Sequence, residues 1–425
     1  MWTAVSSLTS ESSLSNMRFL DSLRSLGMTI AAVASILLLA GCCDCVYTVK
    51  VSNPLDADRH PEMVELCMQN VAASLSLAEN ETFIIKNRKG QEIPHQVTSD
   101  GKVIFQVEMK ANGKETFRIM KGQPAEYESL VFGKHYPDKD DDFAWENDKT
   151  GYRMYGHKLD VASGYDVFCK RGTHLPILET LYANEVYGSD AWKRYYELEA
   201  VSAEEAFRFK MDTLSFHVDR GYGMDVYAVG PTLGAGIAAL MENEVIAYPR
   251  CYETYEILDK GPLRFSVRFT FRPLTFGDDA DIVETRLITL DAGSRLNYTC
   301  VSYSGLDAAK EIVAGIVLRE EGGEPVADAE KGYISYPAPT QNHDTRKEVD
   351  NGTIYIGHVY SNPVKEAKVA QDHVMTVSDY EPGSEFAYYW GSGWDHADIL
   401  SHEQWNQYLE TFSQMVRNPL EVIVK

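Results

Sequence analysis

Leu263, Phe265, Val267, Phe269 and Phe271 alternate with Arg264, Ser266, Arg268 and Thr270. A period of two turns one set of side chains to a core and the other away from it, so this stretch predicts a strand packed on one face. Shorter runs of the same kind recur at Val46–Val51, Phe83–Ile85, Val103–Val107 and Thr116–Ile119, divided by turn signals at Asn53-Pro54, Lys89-Gly90, Asp100-Gly101 and Asn112-Gly113. Asp291-Ala292-Gly293-Ser294 folds the segment ending at Leu290 onto the one running from Leu296 to Tyr303, a predicted hairpin. In two places the period lengthens. Trp192, Tyr195, Tyr196, Leu198, Ala200, Phe207 and Phe209 stand among charged residues and predict a helical insertion around 189–210. Ser401 with Gln404 makes a capping box, and Trp405, Tyr408, Leu409, Phe412, Met415 and Val416 follow at amphipathic spacing until Pro419, after which Leu420–Val424 returns as a strand.

These elements predict a mainly β protein: a large β-sandwich with a small N-terminal β-sandwich portion and a C-terminal helix. The N-terminal portion spans 42–130 and holds no acid–base cluster. The main β-sandwich domain spans 131–425 and opens where His135-Tyr136-Pro137 leads into an acidic run. Ahead of both, Arg18 and Arg24 precede the apolar run Met28–Ala40, which ends in Leu39-Ala40-Gly41-Cys42. That run is too short to span a bilayer, and its basic start and small-residue end mark residues 1–41 as a signal peptide. The ending resembles a bacterial lipobox. Cys42 is then the lipidation site of an exported lipoprotein, periplasmic or anchored to the outer membrane, touching the membrane through that anchor alone.

The formal charge of −23 excludes a nucleic-acid surface, which needs clustered Lys and Arg. Seven cysteines follow no metal spacing, so neither a metal nor another cofactor is expected. No Gly-x-Ser-x-Gly elbow, phosphate loop, His-Glu-x-x-His or dinucleotide fingerprint occurs. Candidate chemistry gathers between Asp140 and Asp225, where acids, bases and aromatic rings are densest, a mixture that suits a sugar-binding cleft. In β-elimination from a uronic acid a cation neutralises the sugar carboxylate, a base removes the hydrogen on C5, and an acid protonates the oxygen leaving C4. Arg171 supplies the cation, His217 the base, and Tyr222 or Tyr227 the acid, with Asp225 orienting them. Trp145, Asp148, Arg153, Tyr155, Lys170 and Trp394 are candidates for binding the oligosaccharide. Two other readings stay open: a glycoside hydrolase with paired carboxylates among Glu146, Asp148, Asp219 and Asp225, and a glycan-binding lipoprotein without catalysis.

Asp141-Asp142-Phe143-Ala144-Trp145-Glu146-Asn147-Asp148, Tyr152-Arg153-Met154-Tyr155-Gly156 and His217-Val218-Asp219-Arg220-Gly221-Tyr222-Gly223-Met224-Asp225 form a composite pattern. It continues through Val229-Gly230-Pro231-Thr232-Leu233-Gly234 to Tyr388-Tyr389-Trp390-Gly391-Ser392-Gly393-Trp394. The pattern resembles a domain-of-unknown-function family of exported bacterial glycan-utilisation proteins, some linked to dehydrating the terminal uronate of ulvan-type oligosaccharides. The resemblance implies a supersandwich like that of galactose mutarotase and many lyases, and a carbon–oxygen lyase activity. It carries over no catalytic residue. Residues 183–213 look like an insertion relative to the family pattern.

Overall fold

The computed structural model describes residues 46–159, 161–172, 176–184, 189–340 and 349–425. Cys42 and the apolar run before it lie outside the described residues. Residues 44–425 form one compact unit, mainly β, built from antiparallel sheets.

The N-terminal portion packs a five-stranded sheet against a three-stranded one. Val49, Val51, Phe83, Ile85, Phe105 and Phe117 fill the space between them. The helix Met68–Leu75, which the residue pattern did not announce, closes one side by burying Val71 and Leu75. The last strand of the chain, Glu421–Val424, returns to this sheet and pairs with Tyr47–Ser52, Val424 opposite Val49.

In the main portion a nine-stranded sheet faces a five-stranded one across a shared core. Arg264–Phe271 lies in the larger sheet with Phe265, Val267, Phe269 and Phe271 buried, as its alternation requires. Asp279–Asp291 and Leu296–Ser304 form the hairpin. The helix His402–Arg417 begins at Ser401, whose side chain accepts a hydrogen bond from the Gln404 N–H, and it buries Trp405, Leu409, Phe412 and Met415. The helical insertion is longer than the pattern indicated: Ile177–Asn184 precedes Asp190–Glu199 and Ala203–Phe209. No helix among the described residues is long and apolar enough to cross a membrane.

One further sheet positions the candidate site. Its strands run Gly223–Asp225, Asp166–Lys170, Gly151–Met154, Asp142–Asn147 and Val131–Tyr136 in spatial order. Phe143, Trp145, Tyr152, Met154, Val167, Cys169 and Met224 point into the main core. By alternation the other face carries Asp142, Ala144, Glu146, Arg153, Asp166, Phe168, Lys170 and Asp225. This polar face is buried too, beneath Ile177, Leu178, Leu181 and Tyr182 of the first insertion helix and beneath Phe216. Charges that would otherwise face water must therefore find partners within the fold.

Candidate active site

Strand register assembles those partners. Arg153 stands directly opposite Asp166 on one neighbour and Ala144 on the other, which brings Asp142, Asp166 and Asp225 around one guanidinium. Arg153 Nε donates to Asp166 Oδ2 at 2.9 Å, Nη2 donates to Asp225 Oδ2 at 2.8 Å, and Nη1 lies 3.5 Å from Asp142 Oδ2. Tyr155 Oη accepts from Arg153 Nη2 and donates to Asp166 Oδ2. Burial opposes the charge on Arg153, but the pull of Asp166 and Asp225 exceeds it and keeps the guanidinium charged. Three carboxylates share that one cation. Burial pushes Asp142 up to about 7, against the pull of Arg153 and a hydrogen bond from Tyr182, and it raises Asp166 as well. Asp142 Oδ1 has no hydrogen-bond partner among the described residues, while Oδ2 accepts from the Tyr182 hydroxyl at 3.1 Å.

The residues singled out from the sequence do not converge on one point. Arg153, Tyr155 and Asp225 meet in the buried row just described. His217 sits beside it, its Nδ1 bonded to the Asp225 carbonyl and its ring stacked on Phe216. Arg171 is held at the other end of the short Gly223–Asp225 strand, where its N–H donates to the Tyr222 carbonyl. Three residues of extended chain, about 10 Å, separate the two anchor points. Tyr222 is half-buried against the Tyr136, Tyr182 and Phe216 cluster. Tyr227 packs in the main core and not beside the Ile177–Asn184 helix, its hydroxyl without a hydrogen-bond partner among the described residues and held protonated by burial.

Other placements correct the binding roles. Trp145 is fully buried and donates through Nε1 to Asn297 Oδ1, so its ring is core and offers no platform. Trp394 is buried as well, its Nε1 donating to the Asn351 carbonyl and its ring lying under the Arg171 guanidinium at 5.0 Å. Lys170 is buried and donates to Glu146 Oε2 at 2.7 Å and to the Asn147 carbonyl at 2.6 Å. Glu146 in turn accepts from the Ile177 and Leu178 N–H groups, which ties the covering helix to the sheet. Asp148 accepts from the Gly293 N–H and braces the hairpin turn.

Two cavities open at opposite ends of this sheet, and their charge differs. The first, of about 310 Å³, lies between the Ile177–Asn184 helix and residues 134–139, the end of the Val131–Tyr136 strand and the turn after it. Among the described residues Lys134, His135, Lys139 and Tyr182 line it together with Asp138 and Glu179, with Lys134 paired to Glu179 at 3.0 Å and Lys139 3.7 Å from Asp140. Tyr136 and Tyr182 stack there at 3.7 Å between centroids. His135 Nε2 lies 3.3 Å from Asp141 Oδ1, and His157 Nε2 and Lys158 Nζ each lie 3.2 Å from the same carboxylate. Asp140 and Asp141 adopt left-handed backbone conformations, φ 52° and 59°, which short polar side chains tolerate and which form the tight entry into the Asp142–Asn147 strand.

The second cavity, of about 480 Å³, is lined by Arg171, Asp212, Asp219, Asp350, Asn351 and His396 with apolar neighbours. Arg171 Nε donates to Asp219 Oδ2 and Nη1 to the His396 carbonyl, both at 2.7 Å. Burial works against the charge on Asp219, but hydrogen bonds from Arg171 and from the Gly221 and Gly223 N–H groups hold its carboxyl below the usual range. Among the described residues one arginine here faces three carboxylates. Arg171 is engaged by Asp219, a contact that a uronate would have to displace for Arg171 to take the task its sequence setting suggested.

His135, Lys139, Asp142, Asp166, Tyr182 and His396 had not been singled out from the sequence. The one local signal was the alternation of Asp142, Ala144 and Glu146 with Phe143 and Trp145, which marks a sheet face with acids on it. Among the described residues no group of three His, Cys, Asp or Glu side chains is placed to hold a metal ion.

The fold and the site describe a β-sandwich protein with a covered, charged sheet face between two cavities. Over residues 51–422 the sequence matches the family described as Domain of unknown function (DUF4861), and the chain belongs to that family. It is 22% identical over 410 residues to Uncharacterized protein P7 of Formosa agariphila, covering 89% of this chain and 93% of that one. Among solved structures it is similar to a protein in the glycosyl hydrolase family 38 from Enterococcus faecalis, with a TM-score of 0.44 and 7% identity, covering 89% of this chain and 47% of that one. An alpha-mannosidase from Enterococcus faecalis V583 gives the same TM-score and identity with 46% of its length covered. A GH36 alpha-galactosidase from Geobacillus stearothermophilus gives a TM-score of 0.28 at 11% identity, with 65% of this chain and 43% of that one covered. The chain thus spans less than half the length of these solved structures.

Proposed function

We propose that the protein is a carbohydrate-active lipoprotein that eliminates water, or a sugar, from uronate-containing oligosaccharides, and that the reaction takes place in the cavity beside the Ile177–Asn184 helix. The observation that carries this reading is that Lys134, Lys139 and Tyr182 line one cavity with His135 at its rim, the His135 ring lying on the Phe143 face of the sheet against Tyr255. Lys139, with Lys134 near it, attracts the sugar carboxylate and acidifies the hydrogen on C5. Asp141 orients His135 through Nε2 and leaves Nδ1 to accept that hydrogen as a proton. The C5–H electrons form the C4–C5 double bond as the C4–O bond breaks. Tyr182 gives its proton to the leaving oxygen, and Asp142, bonded to the Tyr182 hydroxyl, supports the exchange. With hydroxyl as the leaving group the enzyme is a dehydratase; with a sugar it is a lyase.

The experiment is to incubate the purified protein with uronic-acid oligosaccharides and follow the absorbance of the unsaturated uronate. Absorbance should rise with the wild type, and Tyr182→Phe should lower the rate by about 10²-fold or more. Release of reducing sugar without unsaturation would instead indicate a glycoside hydrolase. Saturable binding with neither product would indicate a glycan-binding protein. Export and anchoring through Cys42 belong to the same proposal and rest on the Leu39-Ala40-Gly41-Cys42 ending.

A further inference from the structure

The cavity at Arg171 has no part in that chemistry, and its lining defines a different ligand. Its volume of about 480 Å³ falls within the range of small-molecule sites, about 300–1,000 Å³. Among the described residues of the lining, Asp212, Asp219 and Asp350 outnumber Arg171, the one Arg or Lys, which disfavours an anion. A metal ion does not fit either, because these carboxylates are not grouped as a metal site requires. Acceptor-rich walls beside apolar side chains suit an uncharged molecule with several hydroxyl groups, which donates to the carboxylates while its C–H surface packs on the apolar residues. Carboxylates accept from hydroxyls, while Arg171 is fixed between Asp219, the His396 carbonyl and the Trp394 ring. The His396 ring leans on the same indole at 5.2 Å. Met211, Val218 and Met224 supply the apolar contact that a sugar's C–H face needs.

We propose that the Arg171 cavity is a binding site for an uncharged sugar unit, distinct from the cavity that takes the uronate. The proposal relies on the carbohydrate reading only for the class of ligand. In a glycan that mixes charged and neutral sugars, the two cavities would sort the two kinds of unit by charge.

The test uses the full chain and short xylo-, gluco- and manno-oligosaccharides, with calorimetric titration as the readout and uronate oligomers as the contrasting probe. At least one uncharged oligosaccharide should bind saturably to the wild type and equally to Tyr182→Phe. Val218→Trp, which fills the cavity, should weaken that binding about tenfold or more. Asp212→Asn alters an exposed side chain without changing its size, and should weaken it less. Absence of binding by every uncharged probe would overturn the proposal, as would binding that Val218→Trp and Asp212→Asn leave unchanged or displacement by uronate oligomers at lower concentration. Elimination activity and neutral-sugar binding are scored separately, so either proposal can fail while the other stands.

Discussion

Replacing Asp142 by Asn tests the charge reasoning at the buried carboxyl that accepts from the Tyr182 hydroxyl. The Asp142 carboxyl is about 7 in the fold against 3.8 for an ordinary aspartate. Below about pH 4 folded and unfolded chains both hold the proton and the carboxyl has no effect on the folding equilibrium. As pH rises toward 7 the unfolded chain releases the proton while the folded chain keeps it, so stability falls until the folded carboxyl also ionises. At about 1.4 kcal/mol per pH unit, the interval from pH 5 to pH 7 should cost the wild type about 3 kcal/mol. The amide introduced by Asp142→Asn would not titrate. It keeps the shape of a protonated carboxyl, so the variant should gain about 3 kcal/mol on the wild type between pH 5 and pH 8. Arg153, Asp166, Asp225, Tyr182 and Lys139 surround the position and are unchanged in the comparison. Urea unfolding followed by tryptophan fluorescence at the two pH values measures the gap. A gap that is constant with pH, or that widens in favour of the wild type, would refute the argument.

Three other outcomes are expected. Lys170→Met should destabilise the protein by about 3–5 kcal/mol in urea unfolding by leaving Glu146 charged and buried, and adding Glu146→Leu should recover much of the loss. Ser401→Ala removes the cap of the C-terminal helix and should cost about 1 kcal/mol by the same measurement. Cys42→Ser should abolish incorporation of labelled palmitate in a bacterial host and release the protein from the membrane fraction; unchanged labelling would remove the lipobox from the account.

The outline of the fold was legible where one face of an element meets water. Phe265 to Phe271 and Trp405 to Met415 show their periods plainly because their other faces are solvated or nearly so. The Asp142–Asn147 strand hid its role because both its faces are buried, and Asp142 and Glu146 read as solvated acids until the Ile177–Asn184 helix covers them. Sequence proximity drew attention to His217, set among acids and glycines. The cavity proposed for the chemistry joins the strand end and turn at 134–139 to Tyr182, more than forty residues along the chain, and such a junction depends on packing that no local pattern records. Arg171 was visible as an exposed cation, but the carboxylates that match it come from Asp212, Asp219 and Asp350, in separate parts of the fold.

The assignment of chemistry to the Lys139 cavity is tested most directly by comparing His135→Ala with His217→Ala under one assay, the rate of unsaturated-uronate formation from uronic-acid oligosaccharides. Loss of about 10²-fold or more in His135→Ala, with His217→Ala close to the wild type, is the expected result. Full activity in His135→Ala with loss in His217→Ala would contradict the account and move the reaction to the loop beside Asp225.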